Sequence, residues 1–153
     1  MTMTTCNQRS SQRLIGCLLA GCLGVGAATA DTGTLTVILG GMQSDEGVLT
    51  YAMWSGPANW LEQGAVREGS VPIEAGTSTL VMRDLPHGEY AISAYHDQNG
   101  NGRLDTGLFR IPKEPIGTSN DAKVRFGPPS YDDARFVLNQ PELTITIQVR
   151  KLF

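Results

Sequence analysis

The chain reads as an all-β protein: an antiparallel β-sandwich, immunoglobulin-like or prealbumin-like, with about seven short strands behind a signal peptide. Three observations predict it. Apolar and polar residues alternate with period two in several short segments. Gly, Pro and Asn-Gly pairs punctuate the chain between those segments. Helical signal is scarce, and only residues 58–63 offer a turn or two. Layered sheets are how antiparallel strands bury one face each, and a small closed barrel is the alternative.

The elements follow in chain order. Residues 34–39 form a strand with Leu35, Val37 and Leu39 inward. Residues 48–54 form a more fully buried strand, apolar on both faces. A short strand around Val71, Pro72 and Ile73 belongs at a sheet edge, because proline cannot donate to a ladder. Residues 79–82 and 89–96 are two further strands, joined by the turn-rich run Asp84-Leu85-Pro86-His87-Gly88. Residues 107–125 are nearly strandless, and a connection of that length is often functional. Residues 134–138 carry Phe136 and Leu138 in another strand. The cleanest alternation closes the chain, with Leu143, Ile145, Ile147 and Val149 facing one way and Thr144, Thr146, Gln148 and Arg150 the other.

The first thirty residues lie outside this pattern. Arg9 and Arg13 precede an apolar run over residues 14–28, and Ala28-Thr29-Ala30 supplies a small-x-small cleavage pattern before Asp31. That is a secretory signal peptide, too short and too glycine-rich to span a membrane. A competing reading uses Leu19-Ala20-Gly21-Cys22, which resembles a bacterial lipobox and would place a lipid anchor at Cys22. Both readings send the single domain, residues 31–153, to the periplasm or beyond; in the second it belongs to a membrane-anchored lipoprotein facing the periplasm. Cys6, Cys17 and Cys22 all lie in the leader, so cleavage after Ala30 leaves no thiol and no disulfide. Loss of Arg9 and Arg13 takes the formal net charge from −3 to −5. A domain so acidic lacks the basic stripe that nucleic acid requires.

One segment points to chemistry: Asp97-Gln98-Asn99-Gly100-Asn101-Gly102-Arg103-Leu104-Asp105. Loops that wrap Ca²⁺ take oxygen ligands from alternate positions, with glycine sixth and a bidentate acid twelfth. Counted from Asp97, side-chain oxygens fall at Asp97, Asn99, Asn101 and Asp105, the carbonyl of Arg103 falls seventh, and Gly102 falls sixth. The twelfth residue is Leu108, which cannot ligate. With two charged ligands the affinity is low unless another acid joins. Glu114 is the expected addition, and Asp121, Asp132 and Asp133 are the others available. The plainer reading is a hairpin tip, since Asn-Gly accepts positive φ at both positions.

These residues carry a resemblance. The run from Ala91 through His96 into the 97–105 segment is similar to the central motif of a bacterial family, domain of unknown function 2141. So are Ile111-Pro112-Lys113-Glu114, Gly117-Thr118-Ser119-Asn120 and Gly127-Pro128-Pro129-Ser130-Tyr131-Asp132-Asp133-Ala134. Order and spacing agree from about residue 34 to 149. Tyr131 and Thr118 stand where members often carry phenylalanine. The resemblance implies an exported, small β-rich domain and no mechanism.

Other constellations are thinner. His96 beside Asp97, with nearby carboxylates, is the material for a hydrolase, and a pairing of Glu114 with Asp132 is the material for glycoside hydrolysis. No Gly-x-Ser-x-Gly elbow is present, and two histidines without a mature cysteine make a poor zinc site. Trp54, Trp60, Tyr51 and Tyr95 raise a carbohydrate-binding module, with Trp60 the residue expected at the surface. The sequence reading is therefore a non-catalytic envelope module of unknown role. Its Ca²⁺ loop steadies an end of the sandwich that meets an envelope protein or a glycan.

Overall fold

The structure, a computed structural model, describes residues 31–124 and 127–152. The leader, its cleavage motif and its cysteines lie outside the described residues. The first strand, β1 (Thr32–Gly40), buries every second side chain, with Leu35, Val37 and Leu39 fully enclosed. That is the alternation the sequence predicts. β1 is the middle of a three-stranded sheet, antiparallel to β4 (Thr77–Pro86) and parallel to β8 (Glu142–Gln148). The parallel pair departs from the antiparallel expectation. The first and last strands are joined through the whole fold, so no hairpin turn dictates their direction.

The second sheet runs in the order β3 (Arg67–Val71), β2 (Val48–Trp54), β5 (Gly88–Asp97), β6 (Ile116–Thr118). A further strand, β7 (Phe136–Leu138), pairs with the first three residues of β5. β3 is at the edge and stops just before Pro72, which has no N–H to offer a neighbour. β2 is less enclosed than its composition predicts: Leu49, Met53 and Trp54 are buried, and Thr50, Tyr51 and Ala52 are half-buried. The segment read as strandless contains β6. Only three residues long and centred on Gly117, it gives no periodic signal.

The segment Asp84-Leu85-Pro86-His87-Gly88 is not a hairpin turn. β4 continues to Pro86 and β5 begins at Gly88, so a single residue, His87, carries the chain from one sheet to the other. The expected turn over residues 58–63 is a 3₁₀ turn at Pro57–Asn59. A one-turn helix, α1 (Tyr131–Ala134), precedes β7, and the Ser130 hydroxyl caps it by accepting the Asp133 N–H at 3.1 Å.

The inner faces of the two sheets share one core. Leu35, Val37, Leu39, Leu80, Met82 and Ile147 meet Leu49, Met53, Ile92, Ala94, Phe136 and Leu138. Each fully buried aliphatic side chain contributes about 1.5–3 kcal/mol, which replaces the missing disulfides. A satellite cluster of Ala91, Tyr131 and Ala134, with Trp60 and Ala122 against it, covers part of the outer face of the second sheet. Among the described residues, no helix is long and apolar enough to cross a membrane.

Candidate functional site

Strand alternation on β5 sets the site. Ile92, Ala94 and His96 pair with Met53, Tyr51 and Leu49 and point into the core. The next residue, Asp97, ends the strand and is directed to the other face. It is nevertheless only 1% exposed, because the chain wraps around it. Asp97 Oδ1 accepts the Asn101 N–H at 3.1 Å and Oδ2 accepts the Gly102 N–H at 2.8 Å. Gly100 and Gly102, at φ 67° and 74°, supply the left-handed turns that aim these N–H groups inward.

The remaining polar side chains close on the same space. Asn99 Oδ1 accepts the Asn101 N–H at 3.1 Å, so that donor is shared with Asp97. Asn101 Oδ1 accepts the Arg103 N–H at 2.9 Å. Asp105 accepts from Asn99 Nδ2 at 2.7 Å and from Asn101 Nδ2 at 3.2 Å, one bond on each carboxylate oxygen. Asp97, Asn99, Asn101 and Asp105 are thus drawn into one network. Arg103 places its side chain outward and leaves its backbone on the loop.

Glu114 reaches this loop from the chain beyond it and is 5% exposed. Its Oε1 accepts the Gln98 N–H at 3.1 Å and its Oε2 accepts the Asp105 N–H at 2.9 Å. One carboxylate therefore ties together the two ends of the 97–105 loop. With a backbone N–H on each oxygen, Glu114 acts as a clamp on the neck of the loop. Among the described residues, no three His, Cys, Asp or Glu side chains converge as a metal cluster. The oxygen set that does gather combines two carboxylates with two amides.

The other acids lie elsewhere. Asp121 accepts the Gln148 N–H at 2.9 Å. Asp132 lies 3.5 Å from Arg135, and Asp133 is in the first turn of α1. Glu114 and Asp132 thus form no pair. Leu108, in the twelfth position, is 82% exposed.

Sequence reasoning missed Gly47. At φ 76° it packs against the Asp97 carbonyl so closely that a Cβ there would sit 2.0 Å from that oxygen. The preceding carbonyl, of Glu46, accepts the His96 Nε2–H at 2.6 Å. A carbonyl can only accept, so Nε2 carries a proton there, and Nδ1 is buried without a partner. His96 is 0% exposed.

Trp60, expected at the surface, is half-buried. Trp60 packs edge-to-face on Trp54 at 5.0 Å and on Tyr131 at 5.9 Å, and its indole N–H donates to the Pro129 carbonyl at 2.8 Å. Tyr95 pairs with Thr50 and Ile116 further along β5, four residues beyond the Ala91 that Trp60's cluster covers. Four strand residues are about 13 Å, so the two rings do not form one sugar-stacking surface. Burial pushes the phenols of Tyr90, Tyr95 and Tyr131 above the usual tyrosine range. For Tyr95 the Thr50 hydrogen bond opposes the shift, and Asp97 and Glu114 add to it. For Tyr131, Glu89 and Asp132 add to it against Arg135.

A family model described as an uncharacterized protein conserved in bacteria (DUF2141) matches residues 37–146. No curated protein and no solved structure matches the chain.

Proposed function

The chain belongs to this family of uncharacterised bacterial proteins, and from that premise we propose that it is an exported, non-catalytic module whose 97–105 loop takes up Ca²⁺. The observation that carries the reading is the enclosure of Asp97. A carboxylate at 1% exposure, in one hydrogen-bonded network with Asp105, Asn99 and Asn101, supports an oxygen-rich site for a hard cation. Ca²⁺ entering it would be held by Asp97, Asp105, the two amide oxygens and the Arg103 carbonyl. Asn99 can turn its amide oxygen inward at small cost, because the N–H it accepts is already shared with Asp97. The ion then fixes loop geometry by binding the folded state.

Export to the envelope rests on the leader over residues 1–30, with lipidation at Cys22 as the alternative route. A non-catalytic role is supported by the sealed His96 and the committed carboxylates. Against the glycan-binding and hydrolase readings stand the packing of Trp60 on Trp54 and Tyr131 and the burial of His96.

The test is thermal melting of the purified chain in EGTA and in calcium. For a site with a Kd of about 1 mM, 10 mM Ca²⁺ stabilises by about 1.4 kcal/mol, or a few degrees in Tm. Asp105→Asn, which keeps the shape and removes one charge, should lose most of that increment. Equal midpoints in EGTA and calcium, in both proteins, would remove the ion from the account.

A further inference from the structure

Beyond Glu114's clamp, residues 105–113 leave the body of the protein as a narrow hairpin. The Lys113 N–H donates to the Asp105 carbonyl at 2.9 Å, Thr106 bridges Pro112, and the Gly107 N–H donates to the Ile111 carbonyl at 2.7 Å. Leu108, Phe109 and Arg110 form the apex. Leu108 is 82% exposed, Phe109 92% and Ile111 41%. Leu108 and Phe109 are the most exposed large apolar side chains among the described residues. Phe109 and Arg110 both hold φ at 58°, a conformation that costs free energy in residues with a side chain. The fold thus sustains a strained turn that holds two bulky apolar side chains out in water.

Charge marks the same tip. Between Gln98 and Lys113 every exposed charged side chain is cationic: Arg103, Arg110 and Lys113. Asp105 spends its carboxylate inward on Asn99 and Asn101. The Lys113 stem lies along the hairpin, its Cε about 3.4 Å from where a Cβ on Gly107 would be, which carries the ammonium beside the apex. In a chain of formal net charge −3, an apolar apex whose own segment exposes only cations is complementary to one kind of surface, with apolar depth beneath an anionic face.

We infer that the 105–113 hairpin is a membrane-docking tip: Leu108 and Phe109 enter the interface of an anionic phospholipid bilayer, and Arg103, Arg110 and Lys113 pair with its headgroups. The hairpin is tied by its own backbone bonds and by Glu114, so the inference stands apart from the Ca²⁺ reading.

Co-sedimentation tests it. The full-length chain, as the host cell processes it, is mixed with vesicles of phosphatidylglycerol and phosphatidylethanolamine, and separately with phosphatidylcholine vesicles. Wild type should pellet with the anionic vesicles, less so with the neutral ones, and less again as salt rises. The double variant Leu108→Ser, Phe109→Ser should lose at least about tenfold in partitioning. The triple variant Arg103→Gln, Arg110→Gln, Lys113→Gln should lose the preference for anionic lipid. All substituted side chains are exposed, and unchanged melting midpoints would show intact folds. Any lipid on the amino terminus is common to wild type and variants, and vesicles are diluted until binding is incomplete, so that its contribution cancels in the ratio of partition coefficients. Partitioning that is the same in wild type and the double variant overturns the inference. So does a wild type that ignores both vesicles but self-associates through Leu108 and Phe109 in sedimentation equilibrium, which would make a second copy the occupant. Repeating the assay in EGTA separates the two readings: docking that survives chelation upholds the tip even if calcium fails to shift the melting midpoint.

Discussion

Asp97 is held at two points that respond differently to substitution. Its carboxylate accepts two backbone N–H groups within its own loop, and its carbonyl presses on Gly47 from the neighbouring loop. Asp97→Ala leaves the part-buried Gly102 N–H without its acceptor and the Asn101 N–H with Asn99 alone, and should cost about 2 kcal/mol in urea denaturation. Gly47→Ala meets a backbone oxygen at 2.0 Å and a left-handed φ together, and should cost at least as much. A loss under about 1 kcal/mol in either would mean that the loop is not built as described. Glu114→Gln offers a second test. It sets an amide NH₂ against one of the two N–H groups that the carboxylate accepts, so about 2 kcal/mol should be lost although the shape is kept. The Asp97 loop was legible in the sequence because its grammar is local, with oxygen-bearing residues at alternate positions and glycines at the turns. Gly47 was not, since its constraint comes from a carbonyl fifty residues away that only the folded chain brings near.

At the scale of elements, strands that are half-buried announced themselves and strands that are not did not. β1 and β8 alternate, and their residues were read almost to their ends. β6 was invisible: its central Gly117 leaves no room for a side chain against the Gln148 carbonyl, at 2.8 Å, and offers no apolar residue to count. The outer flap over the second sheet was equally hidden, because it depends on Trp60 finding Pro129 and Tyr131 across a long stretch of chain. That flap makes a separable prediction. Trp60→Ala removes two edge-to-face contacts and one hydrogen bond and should cost about 3 kcal/mol. The loss should appear as a weakened near-ultraviolet signal from Trp54 with the far-ultraviolet strand signal retained. A wild-type near-ultraviolet spectrum would show that the flap does not depend on Trp60.

For the whole molecule, stability should be lost on the alkaline side. Tyr90, Tyr95 and Tyr131 have phenols raised by burial, so the fold keeps them protonated where the unfolded chain begins to ionise at about pH 10. Their contribution is fully present below that pH and is lost as pH rises through the raised folded values. The urea midpoint should be level from pH 8 to about 9.5 and fall above about pH 10, and a midpoint unmoved at about pH 11 would contradict the burial of these rings. The two-layer architecture was legible because turn spacing and alternation both demand it. The handedness of the closure was not, because pairing the first strand with the last is a choice among distant partners. That pairing also governs how the protein bears tension. β1 and β8 lie side by side and run the same way, in register from Thr34 with Glu142 to Gly40 with Gln148. A pull between the start of one and the end of the other drags the two past each other, and every cross-strand bond resists together. Pulled instead from Thr32 and Pro86, which face each other across β1 and β4, the bonds open one pair at a time, and the rupture force should drop sharply.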